Sequence, residues 1–207
     1  MIAQFGEQPQ IHIAIGRAFR EAGRLPEAIE EFKKAVALNS QFPGAHYNLG
    51  LAYLWNEGGS AVNNAEEEFK IELATNPNDY FSNYYLGITC IFQRKWELAI
   101  DFLKTASRIQ PNNPDPYFQL SQAYQELKKH DQAIEVLRKA IDLNPDLPHN
   151  KFQVTTAHYR LAQSLLQTGQ TEAGKKELQV ASELKARAFE TTQQSAMGAS
   201  RVPAEND

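Results

Sequence analysis

Residues 80–111 read YFSNYYLGITCIFQRKWELAIDFLKTASRIQP, and the order Leu86-Gly87, Cys90, Ala99, Leu103, Gln110-Pro111 within them is repeated along the chain. The apolar-small pair returns as Ile15-Gly16, Leu49-Gly50, Leu120-Ser121 and Leu161-Ala162. Three positions beyond each pair stands a larger side chain, namely Phe19, Tyr53, Cys90, Tyr124 and Leu165. A small residue then precedes a large apolar one by four positions in Ala28/Phe32, Ala65/Phe69, Ala99/Leu103, Ala133/Leu137 and Gly174/Leu178. Asn76-Pro77, Gln110-Pro111 and Asn144-Pro145 close three copies, Asn39-Ser40 is a weaker stop, and the fifth copy has none. The period is about 34 residues, the length of one helix-turn-helix unit. A small side chain lets the partner helix approach closely, and proline cannot extend a helix beyond its first turn.

The pattern resembles the tetratricopeptide repeat family, whose units carry L-G-x-x-Y, then A-x-x-x-F, then Pro. The likeness covers roughly Pro9 to Ala188. It implies an all-α, right-handed superhelical α-solenoid of about five repeats, at 9–42, 43–79, 80–113, 114–147 and 148–188. Residues 1–8 are a lead-in, and 189–207 read as a frayed helix end and disordered tail without an apolar period. Helix pairs are expected at 10–22 with 26–38, 43–56 with 61–75, 80–93 with 96–109, 114–127 with 130–143, and 148–168 with 171–189. Asp131 and Thr171 read as N-caps. Two copies depart from the period. Tyr53 to Ala65 is three positions longer than its counterparts, the excess falling in the polar turn Asn56-Glu57-Gly58-Gly59-Ser60. Seven extra residues, Pro148 to Val154, precede the fifth copy; seven is close to two helical turns, so a longer first helix keeps its buried face.

A stacked array buries each unit against its neighbours, so the 207 residues form one elongated domain in this reading. The formal charge of -4, with scattered Lys and Arg, argues against a nucleic-acid surface. No stretch is apolar enough for membrane insertion, and a cytoplasmic location is the default expectation. Cys90, the one cysteine, occupies a packing slot and reads as a buried thiol.

Catalytic chemistry, metal sites and cofactors are not expected. HExxH, CxxC, a glycine-rich phosphate loop and GxSxG are all missing from the sequence. His12, His46 and His158 share one repeat slot, so they stand a repeat apart or more and read as packing residues. Glu27, Glu30 and Glu31, like Glu66, Glu67 and Glu68, read as solvated acidic faces.

In the family, the first helix of each pair lines the concave surface. The slots that point inward there correspond here to Tyr47, Asn48, Leu51 and Trp55 in repeat two, and to Phe81, Tyr84, Tyr85, Ile88 and Phe92 in repeat three. Phe118 and Gln122 follow in repeat four and Tyr159 in repeat five. The resemblance thus implies an aromatic and aliphatic groove, and exposed apolar patches rich in Tyr and Trp mark binding surfaces. The family's carboxylate clamp needs Lys, Asn, Asn, Lys and Arg in fixed slots. The first register offers Ile13, Arg17, Asn48, Phe81 and Tyr85, where Asn48 alone matches; starting one repeat later nothing matches, and starting two later Arg160 alone does, so the clamp subtype is not expected. The expected role is a non-catalytic scaffold binding a protein or peptide partner in that groove. The alternatives are self-association, docking within a longer chain, and an accessory region of a longer enzyme or secretion or assembly protein.

Overall fold

A computed structural model describes residues 7–56, 61–143 and 151–199, and they form ten α-helices and no strands. In chain order these are α1 (Pro9–Glu21), α2 (Leu25–Leu38), α3 (Ala45–Asn56), α4 (Val62–Thr75), α5 (Tyr80–Phe92), α6 (Trp96–Ile109), α7 (Pro114–Glu126), α8 (His130–Asp142), α9 (Lys151–Gln167) and α10 (Thr171–Ala199). They divide into two compact units, Met1–Pro111 with α1 to α6 and Asn112–Asp207 with α7 to α10. Within each unit every helix packs on the next, and the first helix of one pair also touches the first helix of the following pair. Most of the polar turn at 57–60, the Asn144-Pro145 stop, the first residues of the insertion and the 200–207 tail lie outside the described residues.

The repeated small and large residues meet as their spacing predicts. Phe32, Phe69, Leu86, Leu103 and Leu137 are fully buried. A Cβ built on Gly16 would lie 2.5 Å from the Phe32 ring, and one on Gly87 would lie 2.6 Å from Leu103. The glycines are therefore needed for interhelical contact. α9 has 17 residues against 13 in α7, so the insertion lengthens the first helix of its pair as expected.

Several boundaries need correction. α10 continues to Ala199, ten positions past the expected end at 189, because the alanine-, glutamine- and threonine-rich stretch contains no helix breaker before Gly198. Asp131 lies inside the first turn of α8, whose cap position is Lys129, and Thr171 is itself the first residue of α10. The side-chain caps are Asp79, accepting from the Ser82 amide at 2.6 Å, and Asn113, accepting from the Asp115 amide at 3.0 Å. The N-terminal end of α3 is held from a distance instead. Buried Glu72 on α4 accepts from the Gly44 amide at 2.8 Å and the Tyr47 amide at 3.2 Å, placing a carboxylate against the positive end of a helix.

The acidic faces are not simply solvated. Glu31 and Glu68 reach back to buried His12 and His46, at 2.6 and 2.5 Å from Nδ1, and Glu177 meets His158 at 2.6 Å. Each pair ties the two helices of one repeat. The separations are 19, 22 and 19 positions, the longer one absorbing the three-residue excess of repeat two. Where the histidine slot holds Asn83 or Tyr117, the position 19 further on holds Phe102 or Val136. The polar pair is thus replaced as a unit.

Glu66 has another role: it pairs with Lys70 on its own helix and joins repeat two to repeat three through Lys95, whose Nζ lies 3.2 Å from its Oε2. Burial raises this carboxyl's pKa, but Lys70, Gln93 and Lys95 outweigh burial and bring it to about 2. The folded value is below the ordinary 4.5, so the stabilisation is complete above about pH 4.5 and is lost as pH falls toward 2. The thermal midpoint is expected to drop through that window, and to drop less steeply in Glu66→Gln, as melts at stepped pH would record.

One turn position shows the cost of a side chain directly. Gly23, Arg94, Lys128 and Gly169 occupy the same place after the first helix of their pairs and all have positive φ, at 74°, 58°, 57° and 78°. Left-handed backbone is unfavourable for Arg and Lys but open to Gly. Lys128→Gly is therefore expected to stabilise the fold by about 0.5–1 kcal/mol in denaturant titration.

Candidate protein-binding groove

In the first unit, α3 and α5 lie side by side and bring their apolar residues to one surface. Tyr47 stacks on Phe81 with centroids 5.3 Å apart, and both Tyr47 and Phe69 lean on Tyr85, at 6.1 and 6.0 Å. Tyr85 meets Tyr84 edge-on at 5.2 Å, and Tyr84 stacks on Tyr80 at 5.8 Å. The rings thus form one connected sheet across two repeats. Burial, with Tyr85 close by, pushes the Tyr47 phenol up to about 12, so it stays protonated and able to donate a hydrogen bond.

Beside this sheet opens a pocket of about 600 Å³, lined by Leu54, Trp55, Val62, Asn63, Tyr85, Ile88, Phe92 and Gln93. Its walls are apolar except for Asn63 and Gln93, which bond to each other at 3.1 Å. Trp55 is 52% exposed, Phe81 47% and Phe92 65%, whereas Tyr47, Tyr84, Tyr85 and Ile88 are half-buried. Trp55 and Phe92 retain water-accessible apolar surface on the wall of this pocket, where ligands gain most from displacing water. Arg20 on α1 sits over Trp55, 5.4 Å from its centroid, and holds the indole at the edge of the pocket.

Two of the expected contact residues are closed off. Leu51 is buried among Ala65, Phe69 and Leu86, because α5 covers that face of α3. Asn48 is also fully buried, its amide donating to the Gly44 carbonyl at 2.6 Å and its oxygen accepting from Arg17 and Arg20 at 3.2 and 3.3 Å. It positions the arginines and offers no free surface. Leu54, Val62, Asn63 and Gln93 join the pocket although the candidate set omits them; Val62 and Asn63 come from a second helix of a pair, which reading the first helices alone cannot find.

The remaining candidates belong to the second unit. Phe118 is half-buried beneath the Arg160 guanidinium at 4.6 Å, Gln122 accepts from Arg160 at 3.2 Å, and Tyr159 is exposed. Burial lowers the Arg160 pKa from its ordinary value. Cys90 is buried, and burial raises its thiol to about 11, far from thiolate chemistry at neutral pH. Among the described residues no cluster of three or more His, Cys, Asp or Glu could hold a metal ion, and no helix is long and apolar enough to cross a membrane.

Comparison with known proteins agrees with this architecture. The family model described as TPR repeat matches residues 16–56, and that described as tetratricopeptide repeat matches residues 114–147. No curated protein matches the sequence. Among solved structures, MamA 41-end from Desulfovibrio magneticus RS-1 is 21% identical with a TM-score of 0.76, over 88% of this chain and 97% of that one. A second MamA structure is 23% identical with a TM-score of 0.74, over 96% and 98% of the two chains. YrrB, described as a TPR protein with an unusual peptide-binding site, is 17% identical with a TM-score of 0.75, over 94% and 95%. The recurring glycine contacts, the full burial of Phe32, Phe69, Leu103 and Leu137, and the matches at residues 16–56 and 114–147 show that this chain carries tetratricopeptide repeats.

Proposed function

We propose that the protein is a non-catalytic scaffold that holds an extended or helical segment of a partner protein against the α3–α5 surface of its first unit. The observation that carries this reading is the exposure of Trp55, Phe81 and Phe92 beside a pocket of about 600 Å³. Rings left in water on a well-packed helical frame gain binding energy when covered, and they lose little conformational freedom in doing so. The peptide-binding site named for the similarly folded YrrB supports the same class of ligand. The segment that fits brings a large apolar side chain for the pocket and lays its remainder along the Tyr47–Phe81 sheet. The carboxylate-clamp mode stays outside the proposal, since any one register of the repeats matches its residue set at a single position at most, Asn48 or Arg160.

Peptides selected from a random displayed library on the parent protein test the proposal. They are expected to be rich in aromatic and long aliphatic residues and to fail to bind a Trp55→Asp/Phe92→Asp variant that retains the parent's circular dichroism. Selected peptides that are polar, or that bind the variant as well as the parent, contradict it.

A further inference from the structure

The second unit contains a seat like the one that α5 fills in the first. Tyr159 on α9 and Leu178 on α10 occupy the repeat positions of Tyr47 and Phe69. In repeat two that pair receives Phe81 and Tyr85 of α5, and Phe69 is fully buried. In repeat five Tyr159 is 51% exposed and Leu178 36%. Between α9 and α10 lies a groove of about 770 Å³ that includes Tyr159, Leu178, Ala181, Ser182, Lys185 and Ala188. Phe189, 68% exposed, lies along the same stripe of α10, eleven positions from Leu178 and so about three turns away.

We infer that this face is the interface of a two-fold symmetric dimer, in which α10 of a second copy lies antiparallel in the groove. The stripe is self-complementary when the axis passes near Lys185. Ala181 of one copy then faces Phe189 of the other and Leu178 faces Thr192, so large residues meet small ones. Symmetry makes each of these contacts twice. Small residues such as Ala181, Ser182 and Ala188 allow close helix approach. The other end of the chain does not supply a matching occupant. The α1 positions equivalent to Phe81 and Tyr85 are Gln10 and Ala14, so α1 of another copy brings no ring to the seat. The two Lys185 side chains approach near the axis, and screening their repulsion strengthens association as salt rises.

Sedimentation equilibrium on the whole chain, from about 1 to 200 μM, tests this inference. The parent is expected to move from 23.3 kDa toward twice that mass with rising concentration, and more readily at higher salt. Leu178→Glu is expected to raise the dissociation constant at least about tenfold. Phe189→Glu should raise it about tenfold as well, since that ring covers Ala181 of the other copy. Phe189 is 68% exposed, so its replacement tests the contact without disturbing the core. A monomer mass throughout the range overturns the inference and leaves the seat to a helix of another protein. A dimer indifferent to Leu178→Glu or to Phe189→Glu equally overturns it.

Discussion

Phe69→Ala is expected to remove about 3–5 kcal/mol of stability from the protein. The ring is fully buried, packs against Gly50 and stacks near Tyr47 and Tyr85, so its loss leaves a cavity where two repeats meet. Collapse is limited because α3, α4 and α5 all border the site and glycine already allows their closest approach. Urea denaturation followed by circular dichroism measures the change, and a loss below about 1 kcal/mol contradicts the central place of this ring. The same substitution is expected to weaken any ligand of the groove, since Tyr47 and Tyr85 lean on Phe69.

The second large effect concerns recognition. Trp55→Ala is expected to weaken a groove ligand by about 2 kcal/mol or more, roughly 30-fold in the dissociation constant, with little loss of fold stability. The indole is half in water, faces the Arg20 guanidinium and belongs to no buried cluster, so removing it leaves the core intact. Phe92→Ala should act in the same direction. Tyr85→Ala should weaken binding too, but its packing on Phe69 means stability falls as well, so Trp55 separates recognition from folding better. Isothermal titration with a library-selected peptide gives both constants. Equal affinity for Trp55→Ala and the parent would remove the indole from the interface.

Much of the fold was legible in the sequence because its cause is local and repeated. Gly16 and Gly87 recur at a fixed distance from Phe32 and Leu103, and a small residue opposite a large one has a single packing meaning. The histidine slot was legible only in part. Its packing role follows from position, whereas the Glu31, Glu68 and Glu177 partners emerge only when the two helices are read together. Trp55, Tyr85, Ile88 and Phe92 line one pocket, and Phe81 is exposed against Tyr47. Asn48 and Leu51 are closed off, Asn48 by Arg17 and Arg20 of the preceding repeat and Leu51 by the first helix of the next one. Slot counting treats that face as uniform, but exposure across it depends on the bulk of the neighbour. The strained turns at Arg94 and Lys128 were illegible, since a cation in left-handed backbone leaves no compositional mark.

The central claim is that a partner segment covers the α3–α5 surface, and Trp55 can report on it directly. The chain has two tryptophans, so Trp96→Phe leaves Trp55 as the sole indole emitter. Acrylamide quenching of that variant, with and without a saturating library-selected peptide, measures whether the indole is covered. Binding through the groove predicts a blue-shifted emission and a marked fall in the quenching constant; a bound peptide that leaves both unchanged places the interaction elsewhere on the molecule and contradicts the proposed function.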